Sequence, residues 1–141
     1  MKHKTHQRNQ THQSTGLASE YHVLSLLHRK GIHAHLTLGN YKEVDIVVIS
    51  RNGDAKTIDV KGASWIDFRV NNIGKPRRNH YFIFVAYDKL FSDTRHFPDV
   101  YIVPSAKLHK LLHEYHSGSN VRLKDLKNAL CAFEDNWRQL K

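Results

Sequence analysis

The sequence predicts an α/β domain built in layers around a mixed central sheet flanked by helices. Three observations predict it. Apolar residues recur at helical spacing from Leu17 to Leu27; short extended segments crowd the stretch 32–61; and HYFIFVAY at 80–87 is apolar on both faces. A strand of that last kind must be covered on both sides, as in the interior of a sheet between two layers. The order helix, three strands, loop, two strands, two helices fits one such layered unit.

The elements follow in order. Residues 1–14 hold Lys2, Lys4, Arg8, three histidines and no acid, so they offer nothing to bury and are expected to be a flexible basic arm. The single domain is expected over 15–141. Thr15 suits an N-cap, Leu17, Tyr21, Leu24 and Leu27 form a helical stripe, and Gly31 suits the end of that helix. Strands are expected near 32–38, 43–50, 55–61, 80–87 and 100–103. Pro104 then opens a helix that Gly118 would close. Leu126, Leu130, Phe133, Trp137 and Leu140 form the stripe of a last helix.

At 141 residues the chain can bury a core without disulfides, and its lone cysteine, Cys131, cannot form an internal one, which points to a reducing, cytoplasmic setting. No apolar run approaches membrane-spanning length, and the polar N-terminus reads as neither signal peptide nor anchor. The formal net charge of +9 favours a polyanionic partner, nucleic acid first, over a protein that is basic without consequence.

Chemistry concentrates in EVDIVVISRNGDAKTIDVKG at 43–62. Val44, Ile46 and Val48 fall on one face of the first strand, and Asp45 shares the other with Val47 and Ile49. Asp59 and Lys61 share a face of the second strand, because side chains two apart point the same way. The turn decides whether these faces coincide. A two-residue Asn52–Gly53 loop pairs position 45 with 60 and separates the carboxylates; a three-residue loop, Arg51-Asn52-Gly53, pairs 45 with 59 and unites them. The longer loop wants a left-handed residue at its end, where Gly53 stands, and is the one predicted. Two adjacent half-buried carboxylates repel unless a cation is present, and magnesium favours such oxygens while keeping waters and phosphate oxygens as its other ligands. An Asp–Lys ion pair across a hairpin, without metal, is the competing reading.

Gly16-x-x-x-Glu20 on the first helix, then Val44-Asp45, then Asp59-Val60-Lys61 resemble the PD-(D/E)XK nuclease superfamily, with its restriction endonuclease-like fold. Over 15–62 the chain looks closest to archaeal Holliday-junction resolvase-like proteins. The resemblance implies that Asp45 and Asp59 ligate magnesium, with manganese as a substitute, and that the Val60 carbonyl adds a ligand. It implies that Lys61 is the catalytic lysine and that Glu20 supports the metal directly or through water. Val44 stands where the family has proline, and the match fades beyond Gly62. The function implied is a metal-dependent endonuclease acting on DNA, working as a homodimer. The alternative is a noncatalytic nucleic-acid-binding module of the same fold, and a third reading makes the charged residues a structural ion-pair network.

Around that core, Gly74-Lys75-Pro76-Arg77-Arg78-Asn79 is a basic loop in which Lys75, Arg77 and Arg78 suit phosphate contacts. Trp65 reads as packing rather than base stacking, and Tyr81 and Tyr87 as packing. His33 and His35 share a strand face but lack a third ligand for zinc. His109, His113 and His116, spaced as on a helix, read as a solvated face, and Cys131 as a poor nucleophile.

Overall fold

The structure, a computed structural model, describes residues 3–38, 44–129 and 132–141, with side chains from His12 onward. Lys2, Leu130 and Cys131, and the side chains of Lys4 and Arg8, lie outside the described residues. Helix α1 (His3–Arg29) leads into β1 (Ala34–Leu36), β2 (Ile46–Ile49) and β3 (Ala55–Ala63). After β4 (Phe68–Val70) come β5 (His80–Ala86) and β6 (Asp99–Pro104), a short α2 (Ser105–Leu108), the hairpin β7 (Leu112–Tyr115) and β8 (Gly118–Val121), α3 (Leu123–Asn128) and a closing 3-10 turn (Trp137–Leu140). Among the described residues no helix is long and apolar enough to cross a membrane.

The central sheet is mixed, as expected, with strand order β1-β2-β3-β5-β6. β3 and β5 run parallel, and the other neighbours are antiparallel. On one face α1 lays Val23, Leu26 and Leu27 over Ile46, Val48, Ile58, Val60, Ile83 and Val85. On the other, Phe82, Phe84, Tyr101 and Val103 meet Phe68, Val70, Val121, Leu123 and Leu126. Covering that second face is a small sheet of order β4-β8-β7. HYFIFVAY is therefore interior and buried from both sides; Tyr87 is buried and Tyr81 packs at the edge of the core, as expected.

Four expectations are corrected. Helix α1 begins at His3, so Thr15 lies inside it rather than at its cap. Leu17 and Tyr21 are exposed, and the seam of α1 runs instead through Thr15, Ser19, Val23 and Leu26–Leu27. The helix expected from Pro104 to Gly118 is a single turn followed by the β7–β8 hairpin, with Gly118 at φ +130° opening β8 rather than closing a helix. The expected long last helix is likewise replaced by the short α3 and the closing turn. Gly31, at φ +72°, ends α1 as expected.

Small residues at the α1 seam have a cause in β3. A Cβ placed on Gly62 would lie 2.0 Å from Ser19 Oγ and 3.0 Å from the Thr15 carbonyl oxygen. Glycine thus lets helix and strand approach closely, while Ser19 turns its hydroxyl to the Thr15 carbonyl at 2.6 Å. Gly62→Ala is expected to lower stability by about 1–3 kcal/mol, since helix backbone, not merely a flexible side chain, must yield. Chemical denaturation checks this; an unchanged midpoint would mean that α1 can retreat freely.

Candidate active site

The β2–β3 hairpin has the three-residue loop. Ile46 pairs with Ile58 and Ile49 with Ala55, so the register runs as far as Ile46, the residue next to Asp45. The turn closes with Ser50 N–H donating to the Asp54 carbonyl at 2.9 Å, and Gly53 takes φ +86°. The positive φ is the reason for glycine there. Past that register the Asp45 and Asp59 side chains still come within hydrogen-bonding reach of each other.

Strand β2 formally starts at Ile46, one residue after the carboxylate. Asp45 is held at the point where the ladder breaks: its N–H donates to the carbonyl of Ile58, the partner of Ile46, at 2.8 Å, and its Oδ2 accepts the Val60 N–H at 2.7 Å. A side chain thus replaces strand backbone where β2 and β3 part, satisfying a donor that the diverging strand would leave open.

Asp59 lies beside this carboxylate and receives the Lys61 Nζ at 2.8 Å. Burial pushes the Asp59 carboxyl up from 3.8 to about 6; Lys61 opposes the rise, and the neighbouring Asp45 carboxylate adds to it. Glu20, half-buried on α1, is also raised, first by burial and then by Asp45 and Asp59, with Lys61 opposing. The four charged residues singled out in the sequence, Glu20, Asp45, Asp59 and Lys61, therefore act on one another. Three acids face one ammonium, an arrangement that repels itself without further positive charge.

A divalent ion suits this donor set in a particular way. Among the described residues no three His, Cys, Asp or Glu side chains are gathered tightly enough to hold a metal on their own. That excludes an all-side-chain cage of the zinc type there, but not magnesium, which takes one or two carboxylates and fills its remaining positions with waters and phosphate oxygens. His33 and His35 are both exposed. His113 lies on β7 rather than a helix and pairs with Asp125 Oδ2 at 2.6 Å, so the expected histidine face does not form.

In the basic loop, Lys75 and Arg78 are exposed and Arg77 is half-buried. Arg77 N–H donates to Ser105 Oγ at 3.0 Å, and a guanidinium nitrogen lies 2.6 Å from His80 Nε2. A guanidinium only donates, so His80 Nε2 accepts and its proton sits on Nδ1, directed at Thr57 Oγ1 2.7 Å away. Burial, then Arg77, then Lys61 hold His80 down to about 4, so it is neutral at physiological pH. Thr57 shares the face of Asp59 and Lys61, which makes this chain of contacts a neighbour of the carboxylates. Sequence reasoning missed it; the available signal was a histidine opening an otherwise apolar strand. Trp65, expected to pack, is 66% exposed instead.

A cleft of about 680 Å³ opens elsewhere, between the end of α1, the β2–β3 turn and the chain's C-terminal residues, lined by Lys30, His33, Arg51 and Lys56 among others. None of Glu20, Asp45, Asp59 or Lys61 lines it. The size of a hollow is a weaker guide to chemistry than converging, perturbed acids.

No family model matches the chain, and no curated protein does. Among solved structures it is similar to a bacterial homing endonuclease, with a TM-score of 0.57 and 18% identity over 89% of each chain. At that identity the likeness speaks for the fold, and the chain shares the mixed α/β architecture of that endonuclease over most of its length.

Proposed function

We propose that the chain is a magnesium-dependent endonuclease of the PD-(D/E)XK type that hydrolyses DNA phosphodiester bonds. One observation carries the reading: the Asp45 and Asp59 carboxyls lie side by side where β2 and β3 part, beside Lys61 and within the electrostatic reach of Glu20. The shared fold with a homing endonuclease and the net charge of +9 support it.

Asp45 and Asp59 would hold the metal. The Val60 carbonyl would join them, since it leaves the strand on the same edge as the N–H that Asp45 binds. Bound there, magnesium or manganese supplies Lewis-acid polarisation of the phosphate. The remaining work falls to the chain. Lys61, held by Asp59, donates to the attacking water or to the phosphate oxygen on which charge builds. Glu20, its proton affinity raised by burial and then by its acidic neighbours, holds a water by accepting its hydrogen bond. Lys75, Arg77 and Arg78 would grip the flanking backbone, and two copies acting together would reach both strands of a duplex.

The test is cleavage of labelled linear, nicked and four-way-junction DNA with magnesium or manganese. Metal-dependent cutting of any of the three supports the reading. Salt-sensitive binding without cutting would favour a noncatalytic nucleic-acid-binding module, which the Lys61–Asp59 pair itself would suit as a structural contact.

A further inference from the structure

We propose that Trp65 and Lys89 form a nucleotide-binding site for an unpaired base, in which the indole stacks on the base and the lysine meets its phosphate. The proposal rests on the nucleic-acid reading above and names what this part of the surface would hold.

A tryptophan left in water needs a reason, because its large apolar ring gains most when covered. Trp65 is 66% exposed, whereas the chain's other tryptophan, Trp137, is 4% exposed within the core. Trp65 stands just past the end of β3, four positions beyond Lys61, so the strand bearing the candidate catalytic lysine runs directly into it. Its loop is braced from the turn that follows β5: Lys89 N–H donates to the Ser64 carbonyl at 2.9 Å. The Lys89 ammonium lies over the indole, 4.9 Å from the ring centroid. That contact holds the ring in place and occupies one of its two faces.

An ordered, exposed aromatic ring beside a lysine matches the two parts of one nucleotide. Base–aromatic stacking tolerates any sequence, because every base has a π-face, and a nearby cation suits the phosphate. Bases inside an intact duplex have both faces covered by their neighbours. The ligand is therefore a base outside the stack: in a single strand, at a nick or junction, or turned out of the helix.

The experiment is done in EDTA, so that hydrolysis cannot intervene. Full-length protein is titrated with a single-stranded oligonucleotide of mixed sequence and with an abasic one of the same length and charge. The tighter binding of the base-bearing strand is expected to be accompanied by quenching of the exposed Trp65 emission. Trp65→Ala should weaken binding of that strand by about five- to a hundredfold, down to the abasic level. Trp65→Phe should retain most of the preference, and the salt dependence should persist in both variants. If Trp65→Ala leaves the preference for bases intact, the proposal is overturned while the nucleic-acid reading stands. Loss of self-association in Trp65→Ala with unchanged base preference overturns it too, making Trp65 a protein contact. If neither strand binds in a salt-sensitive way, the nucleic-acid reading falls and this proposal with it.

Discussion

Lys61→Ala is expected to slow DNA cleavage by about 10²–10⁴-fold, the usual worth of one positioned proton-handling or charge-stabilising group. The effect should fall on the rate at saturating DNA, measured in single turnovers, rather than on affinity. Lys61 is one cation among the chain's 22 lysines and arginines, so the electrostatic attraction of DNA survives its loss. What sets it apart is its place, with Nζ 2.8 Å from Asp59. Lys61→Arg should rescue little, because a planar fork does not replace a compact ammonium in that space. A Lys61→Ala protein that cuts at the wild-type rate would sink the mechanism, whatever it does to binding.

Asp59→Asn is expected to stabilise the metal-free protein at neutral pH and to abolish its stabilisation by magnesium. Folding raises the Asp59 carboxyl from 3.8 to about 6, so the folded state resists the charge that the unfolded state accepts freely. The resulting penalty is absent below pH 3.8, grows between there and about 6, and is constant above. Asparagine removes it, so the variant should gain on the order of 1–3 kcal/mol over wild type at pH 7.5, with the gain vanishing near pH 4. His80 works in the opposite direction. Its folded value of about 4 against 6.5 gives stability that is present above 6.5 and lost as the pH falls. Asp59 is not among the causes of that shift, so the His80 contribution cancels when variant and wild type are compared at each pH. Magnesium at a hundred times its dissociation constant should add about 2.7 kcal/mol to the wild type and almost nothing to the variant. Thermal melts over a pH series, with and without the metal, read both effects. Equal melting shifts with magnesium in the two proteins would remove Asp59 from the metal's ligands.

The hairpin was legible in the sequence because its register depends on local chemistry. Gly53 takes the left-handed conformation that selects the three-residue loop, and alternation then carries the pairing as far as Ile46 and Ile58, next to Asp45 and Asp59. The apolar run 80–87 was legible for a similar reason, since only an interior strand can use both its faces. The second half misled because its spacing was ambiguous. His109, His113 and His116 fit a helix, yet β7 finds in β8 a partner that periodicity cannot foresee. Gly118 was correctly seen as a break, but its break is a hairpin, where a Cβ would also press on the Asn71 side chain at 2.4 Å. The α1 seam was misplaced by counting leucines. At that seam Ser19 sits where a Cβ on residue 62 would fall, so smallness rather than hydrophobicity decides. The bond from Val60 N–H to Asp45 and the Thr57–His80–Arg77 chain are tertiary, and no local pattern encodes them.

The crossover between β3 and β5 has a consequence for synthesis of the chain. It contains β4, which pairs with β8, the strand at Gly118–Val121. On a ribosome, α1 and the β2–β3 hairpin are complete early, but β4 must wait for roughly fifty further residues, a delay of about 3–10 s at ordinary elongation rates. During that interval Phe68 and Val70 have no strand to pair with, and Phe82 and Phe84 lack the cover that Val121 and Leu123 later provide. A nascent chain halted before residue 118 would thus carry its acids and its lysine on a sheet with one apolar face bare, a natural target for chaperones until the residues from Gly118 onward arrive.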